Sequence, residues 1–191
     1  MNLREMSITG AAFAALTVAL ASPVHGQANA ETFTATASVK TAGAATASAP
    51  VTIVINRKMS QAEADKLTGA FAAGGAPALR KALVGMPTTG SIQLGAGAAT
   101  PTRLTLERTT EKGRLLTIVA DQPILALGAG LPGAKPKEGY DFAILDIEVD
   151  AKGNGTGSLA PAAKVTVKQG AFVVEDYAAE AVRLSDVKKV K

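Results

Sequence analysis

The stretch VTIVINRKMSQAE, residues 51–63, decides the fold. In its first half Val51, Ile53 and Ile55 recur at every second position, the period of a strand with one buried face. In its second half the period changes. Ser60-Gln61-Ala62-Glu63 fits a capping box, in which the Ser oxygen accepts the N3 amide and Glu63 reaches back to the cap amide. Leu67 and Phe71 then lie four apart on one helical face, with Ala64 beside them, until Gly74-Gly75 stops the helix. Residues 76–84 restart it with Leu79 and Leu83 four apart, and Gly85 and Pro87 end it. The expectation is a helical hairpin inserted between strands.

Toward the N-terminus, residues 32–40 (TFTATASVK) alternate Phe33, Ala35, Ala37 and Val39 against polar partners, a half-buried strand. Residues 41–50 (TAGAATASAP) are low in complexity and read as a loop. Residues 1–30 read as a secretory signal peptide. Arg4 supplies charge, residues 8–21 form an apolar run too short for a transmembrane helix, and small-x-small patterns end at Ala28 and Ala30. Cleavage after Ala30 is favoured, with Ala28 second. The expected product is one domain, residues 31–191, periplasmic or extracellular, with no transmembrane segment.

Toward the C-terminus, strands are expected at 91–94, 102–109, 114–120, 142–149, 156–168, 172–177 and 182–187. Leu104 and Leu106 are in phase in the second of these. In the fourth, Phe142, Ile144 and Asp146 lie on one side, and Ala143, Leu145, Ile147 and Val149 on the other. Residues 111–113 and 152–155 read as hairpin turns. The class is α+β: a curled antiparallel sheet of about seven to nine strands, an open barrel or a sandwich, carrying the helical hairpin. The connection 123–140 is long, rich in Gly and Pro, and begins with an apolar run.

Composition removes much chemistry. The chain has no Cys and a single His, His25, inside the leader. Cys nucleophiles, Ser-His-Asp triads and imidazole metal sites therefore lack their residues in the mature domain. No cofactor and no catalytic residue is assigned, and the chain is expected not to be an enzyme. The net charge of +4 rests largely on Lys188, Lys189 and Lys191, read as a basic C-terminal tail. With four Phe and two Tyr after the leader, stacking platforms for nucleic acid are absent.

The remaining motifs weigh toward bland readings. Gly128-Ala129-Gly130-Leu131-Pro132-Gly133 matches GxGxxG, but Pro132 blocks the helix the motif requires. The 150–155 run has Lys152 where a calcium loop needs an oxygen ligand. Asn154-Gly155-Thr156 is a glycosylation acceptor pattern of low specificity. Asp146 and Glu148, which share a strand face, or Asp121 and Asp141 are the carboxylate pairs for a hydrolase, the third-ranked function. Asp121 and Asp141 bracket the long loop and are read as its tethers. Arg103, Arg108 and Arg114 lie on neighbouring strands as a candidate anion patch.

The run Ala76-x-Ala78-Leu79-x-x-Ala82-Leu83-x-x-Met86-Pro87-x-x-Gly90 is followed by Ile118-Val119-Ala120-Asp121-Gln122-Pro123-Ile124, then Tyr140-Asp141-Phe142, and Val182-Arg183-Leu184-x-Asp186-Val187. With the leader, this pattern resembles a group of secreted bacterial proteins of unknown function, over about residues 55–187. The resemblance implies export and one domain, and no activity. The group has an aromatic, polar stretch after the Pro-Ile. Here Leu125-Ala126-Leu127-Gly128 stands in its place, so a role of that loop does not carry over.

The leading functional expectation is a non-enzymatic binding or accessory domain for a small apolar ligand between helices and sheet. The candidate lining is Leu67, Phe71, Leu83, Ile124, Leu127 and Tyr140. The alternative is an envelope protein that binds another protein through an exposed apolar patch or an unpaired edge strand.

Overall fold

A computed structural model describes residues 30–40, 46–124, 138–168, 171–176 and 182–190. Ten strands and one helix follow in chain order: β1 (Glu31–Lys40), β2 (Thr46–Ile55), α1 (Gln61–Val84), β3 (Gly90–Leu94), β4 (Thr100–Thr102), β5 (Leu104–Thr110), β6 (Gly113–Ala120), β7 (Phe142–Val149), β8 (Asn154–Lys168), β9 (Ala171–Asp176) and β10 (Val182–Lys189). All pair antiparallel in one sheet of order β4-β3-β2-β1-β10-β8-β7-β6-β5, and β9 pairs with β8 outside this path.

The two ends of that path, β4 and β5, are neighbours in sequence, separated by Arg103 alone. The Arg103 N–H donates to Val119 O of β6 at 2.9 Å. The chain thus steps from one sheet edge to the other at a single residue, and the sheet is a nearly closed barrel. With β4 and β5 taken as one bent strand, the wall has eight staves. Closure removes the exposed edges an open sheet would present. The strand expected at 102–109 is divided here, which raises the count to ten.

Alternation puts Phe33, Ile53, Ile92, Leu116, Ile118, Leu145 and Ile147 inside, each fully buried. On β7 the other face is covered as well. Phe142 and Ile144 point outward and meet Leu67, Phe71, Leu83 and Met86 of the helical segment in a second apolar cluster. That both faces of β7 are buried follows from its near-continuous apolar sequence.

The helix begins as its capping box requires. The Glu63 N–H donates to Ser60 Oγ at 3.3 Å, and the Ser60 N–H donates to Glu63 Oε2 at 2.9 Å. Residues 61–84 form one helical span that is interrupted at Gly74-Gly75, where the sequence places the stop and the restart. Gly74 and Gly75 alone leave helical geometry. Gly75 adopts φ 64°, ψ −153°, a conformation open essentially to glycine. Pro77 then sits where the helix restarts, a position at which a missing N–H costs nothing.

Two further expectations are corrected. Residues 46–50, read as loop, belong to β2, where Ala49 pairs with Ala37 and Thr46 with Lys40. The basic tail is largely strand: β10 runs to Lys189, and Lys188 pairs with Thr34. No helix among the described residues is long and apolar enough to cross a membrane.

Candidate functional site

The barrel interior differs from one end to the other. At the end where β1 starts, the lining carries charge. Glu31 shares the inward phase of Phe33, Ala35, Ala37 and Val39, and is only 6% exposed. Arg114 of β6 grips it with both terminal nitrogens, at 3.0 and 2.7 Å, and the Lys189 ammonium donates to it at 2.7 Å. The Arg114 guanidinium also lies 5.8 Å above the Phe33 ring and donates to Glu107 at 2.9 Å. Lys58 pairs with the same Glu107. This network closes one end of the barrel with a charged floor.

Burial pushes the Glu31 carboxyl up, but hydrogen bonds and charge from Arg114 and Lys189 outweigh it and hold the group at about 2. The same competition, between burial and contacts with Lys58 and Arg114, lowers the Glu107 carboxyl.

At the opposite end the lining is small. Ala35, Ala37, Ala120 and Ala143 are buried there, with Ala47 and Ala49 packed against them. Ile124, at the start of the long connection, joins this cluster, and its N–H donates to Pro161 O at 2.8 Å. An eight-stave barrel is just wide enough to be filled by side chains or to hold one small ligand. These alanines share their buried cluster with Val39, Leu94, Val182 and Leu184.

The base of the long connection is tied to the wall. Arg103 donates to Asp121 Oδ2 at 3.3 Å and to Met86 O at 3.1 Å. Arg80 of α1 lies 3.6 Å from Asp141 Oδ1. Asp121 and Asp141 are the tethers their flanking positions suggested. The Tyr140 hydroxyl donates to Glu175 of β9.

The candidate lining is divided by this geometry. Leu67, Phe71 and Leu83 lie on the outside of the barrel, under α1. Ile124 belongs to the interior cluster. Tyr140 is half-buried beside β9. Leu127 lies outside the described residues, as does the GxGxxG match at 128–133. The five described residues fall in three places. Sequence reasoning singled out Arg114 but missed its partner Glu31 and the alanine lining. The available signal was an acidic residue in phase with a buried strand face.

The other motifs resolve as structure. Asp146 accepts a hydrogen bond from Thr117, and burial raises its carboxyl above the ordinary value against the pull of Thr117 and Arg108. Its neighbour Glu148 faces Lys112 at 3.9 Å. Asp150 accepts the Lys152 and Asn154 amides at 2.8 and 2.9 Å, a closed hairpin turn rather than a calcium loop. The three arginines diverge: Arg103 goes to the seam, Arg114 inward, and Arg108 to the exposed outer face. No group of three or more metal-ligating side chains forms among the described residues. Inside the seam, Thr89, Thr102 and Thr105 are fully buried and joined by hydroxyl contacts of 3.1 and 3.0 Å.

No family model matches this chain, and no curated protein or solved structure matches it either.

Proposed function

We propose that the protein is an exported, non-enzymatic binding domain that takes one small apolar ligand into the barrel. The observation that carries this reading is the alanine lining of one end, set against a floor sealed by Glu31, Arg114 and Lys189. One end closed by charge and one end lined largely by small side chains favour the inside of the sheet as the ligand's place. The interface between α1 and the sheet is a less favourable place, because the larger side chains Leu67, Phe71 and Phe142 fill it. The leader at residues 1–30 supports export.

A second reading, an envelope protein that binds another protein, has one observation in its favour. Among the described residues β9 pairs with β8 alone, and a strand with an unpaired edge is a template for another chain.

Native mass spectrometry of the protein isolated from the cells that make it separates the two. A bound small apolar molecule is the expected result. A bound protein chain in its place supports the second reading, and a bare polypeptide at every condition contradicts the first.

A further inference from the structure

Every junction in the barrel wall but one is a main-chain ladder. Even the short β4 pairs with β3 along its whole length, Thr100 to Thr102. Between β4 and β5 no residues pair. That junction is held from its flanks. The Arg103 N–H reaches Val119 O at 2.9 Å, and the Met59 N–H, from the segment leading into α1, reaches Thr105 O at 2.9 Å. Beyond Thr105, residues 106–110 of β5 pair with β6 alone among the described residues.

Side chains span the rest of the seam. Lys58 and Arg114 both meet Glu107 there, in partial contact with water, where an ion pair holds weakly. Deeper in, Thr89, Thr102 and Thr105 are fully buried and share three hydroxyl hydrogens between two contacts, Thr105 to Thr89 at 3.0 Å and Thr89 with Thr102 at 3.1 Å. One of these hydrogens has no acceptor among the described residues, whichever partner donates in the second contact. A buried donor without a partner is costly, and contact with water relieves it. The seam is thus the junction where opening breaks the fewest main-chain bonds and where hydration is favoured.

We propose that the barrel wall opens at this seam, with β3 and β4 moving away from β5 while the ladders elsewhere stay paired. The opening is a lateral gate to Ile92, Leu116 and Ile118, which are fully buried when the seam is closed. It stands apart from the ligand reading: a barrel that opens and binds nothing would still show it.

The chain has no cysteine, so a single introduced thiol reports opening wherever it is placed. Thr105→Cys puts one in the seam. Ala37→Cys puts one at an equally buried position with a ladder on either side. Under native conditions iodoacetamide is expected to label Thr105→Cys at least about tenfold faster, which marks an opening less costly than global unfolding. Because Thr105→Cys itself alters the hydroxyl cluster, amide hydrogen exchange of the unaltered protein is followed as well. The Met59 and Arg103 amides are expected to be protected at least about tenfold less than ladder amides of β1 and β7, and their exchange to respond less to denaturant. Seam amides protected as strongly as those of the ladders overturn the proposal, whatever the thiols show. That comparison holds even if a cysteine variant fails to fold.

Discussion

Glu31 meets Arg114 across 83 positions of sequence and Lys189 across 158. No local pattern announces such a partnership. The alternation of β1 does announce that whatever stands at position 31 faces inward, and a buried carboxylate must find a cation. Its folded value of about 2, against an ordinary 4.5, corresponds to about 3 kcal/mol. Because the value is depressed, this stability is present above the ordinary carboxyl range and is lost as pH falls from about 4.5 toward 2. Denaturant titrations across that window are expected to show it, and Glu31→Gln is expected to flatten the profile while lowering stability at neutral pH. Asp146 runs the other way. Burial raises it, so its ionisation weighs against the fold increasingly as pH rises through and above the ordinary Asp range. Asp146→Asn is expected to raise the unfolding midpoint at pH 7 and to leave it unchanged near pH 3. Among the described residues Asp186 is the one non-glycine with positive φ, 52°, in the bulge of β10 between Leu184 and Val187. Asp186→Gly is expected to stabilise the protein by about 0.5–1 kcal/mol in chemical denaturation. Residue-level readings faltered where both faces of a strand are covered. Leu104 and Leu106 alternate as a buried face does, yet Leu104 packs under α1 while the fully buried side chain between them is Thr105.

Elements with strong local signals were legible. The α1 start follows from Ser60 and Glu63, and its end from Gly85. The interruption at Gly74-Gly75 and the restart through Val84 were legible as well, and Pro77 sits in the first turn of the restarted helix. Gly75→Ala is expected to cost about 1–3 kcal/mol, since its φ and ψ are closed to a side chain, and circular dichroism with a denaturation midpoint measures it. Phe71→Ala is expected to cost about 3–5 kcal/mol by opening the cluster over Phe142 and Ile144. β2 was read five residues short, because Thr46 to Pro50 carries no large apolar residue. Its strand state is imposed by ten consecutive pairs with β1. The same holds for the lysines of β10. Their sequence resembles a tail, and their partners lie on β1 and β8.

For the whole molecule, composition and turn spacing gave an antiparallel curled sheet, while closure rests on a nonlocal event. The chain pivots at Arg103 so that Thr102 pairs with Gly90 on β3 and Leu104 pairs with Val119 on β6. Nothing in the sequence around Arg103 marks that change of partner. Closure also changes where a ligand is proposed to sit. Before the barrel is known, Leu67 and Phe71 look like the wall of a cavity; once it is closed they are its outer packing. The interior alanines of β1, β2, β6 and β7 become the distinctive lining. The decisive measurement is therefore Ala37→Leu, with unfolding midpoint and N-phenyl-1-naphthylamine binding recorded on the same protein. Ala37 is fully buried, opposite Ala49 on one side and Leu184 on the other. If the alanine-lined end is a binding cup, the wild type takes up the probe, and the larger side chain occupies the space, keeps or raises stability and abolishes uptake. A drop in stability of about 1–3 kcal/mol with no probe uptake in the wild type would mean that the interior is packed solid and holds no ligand.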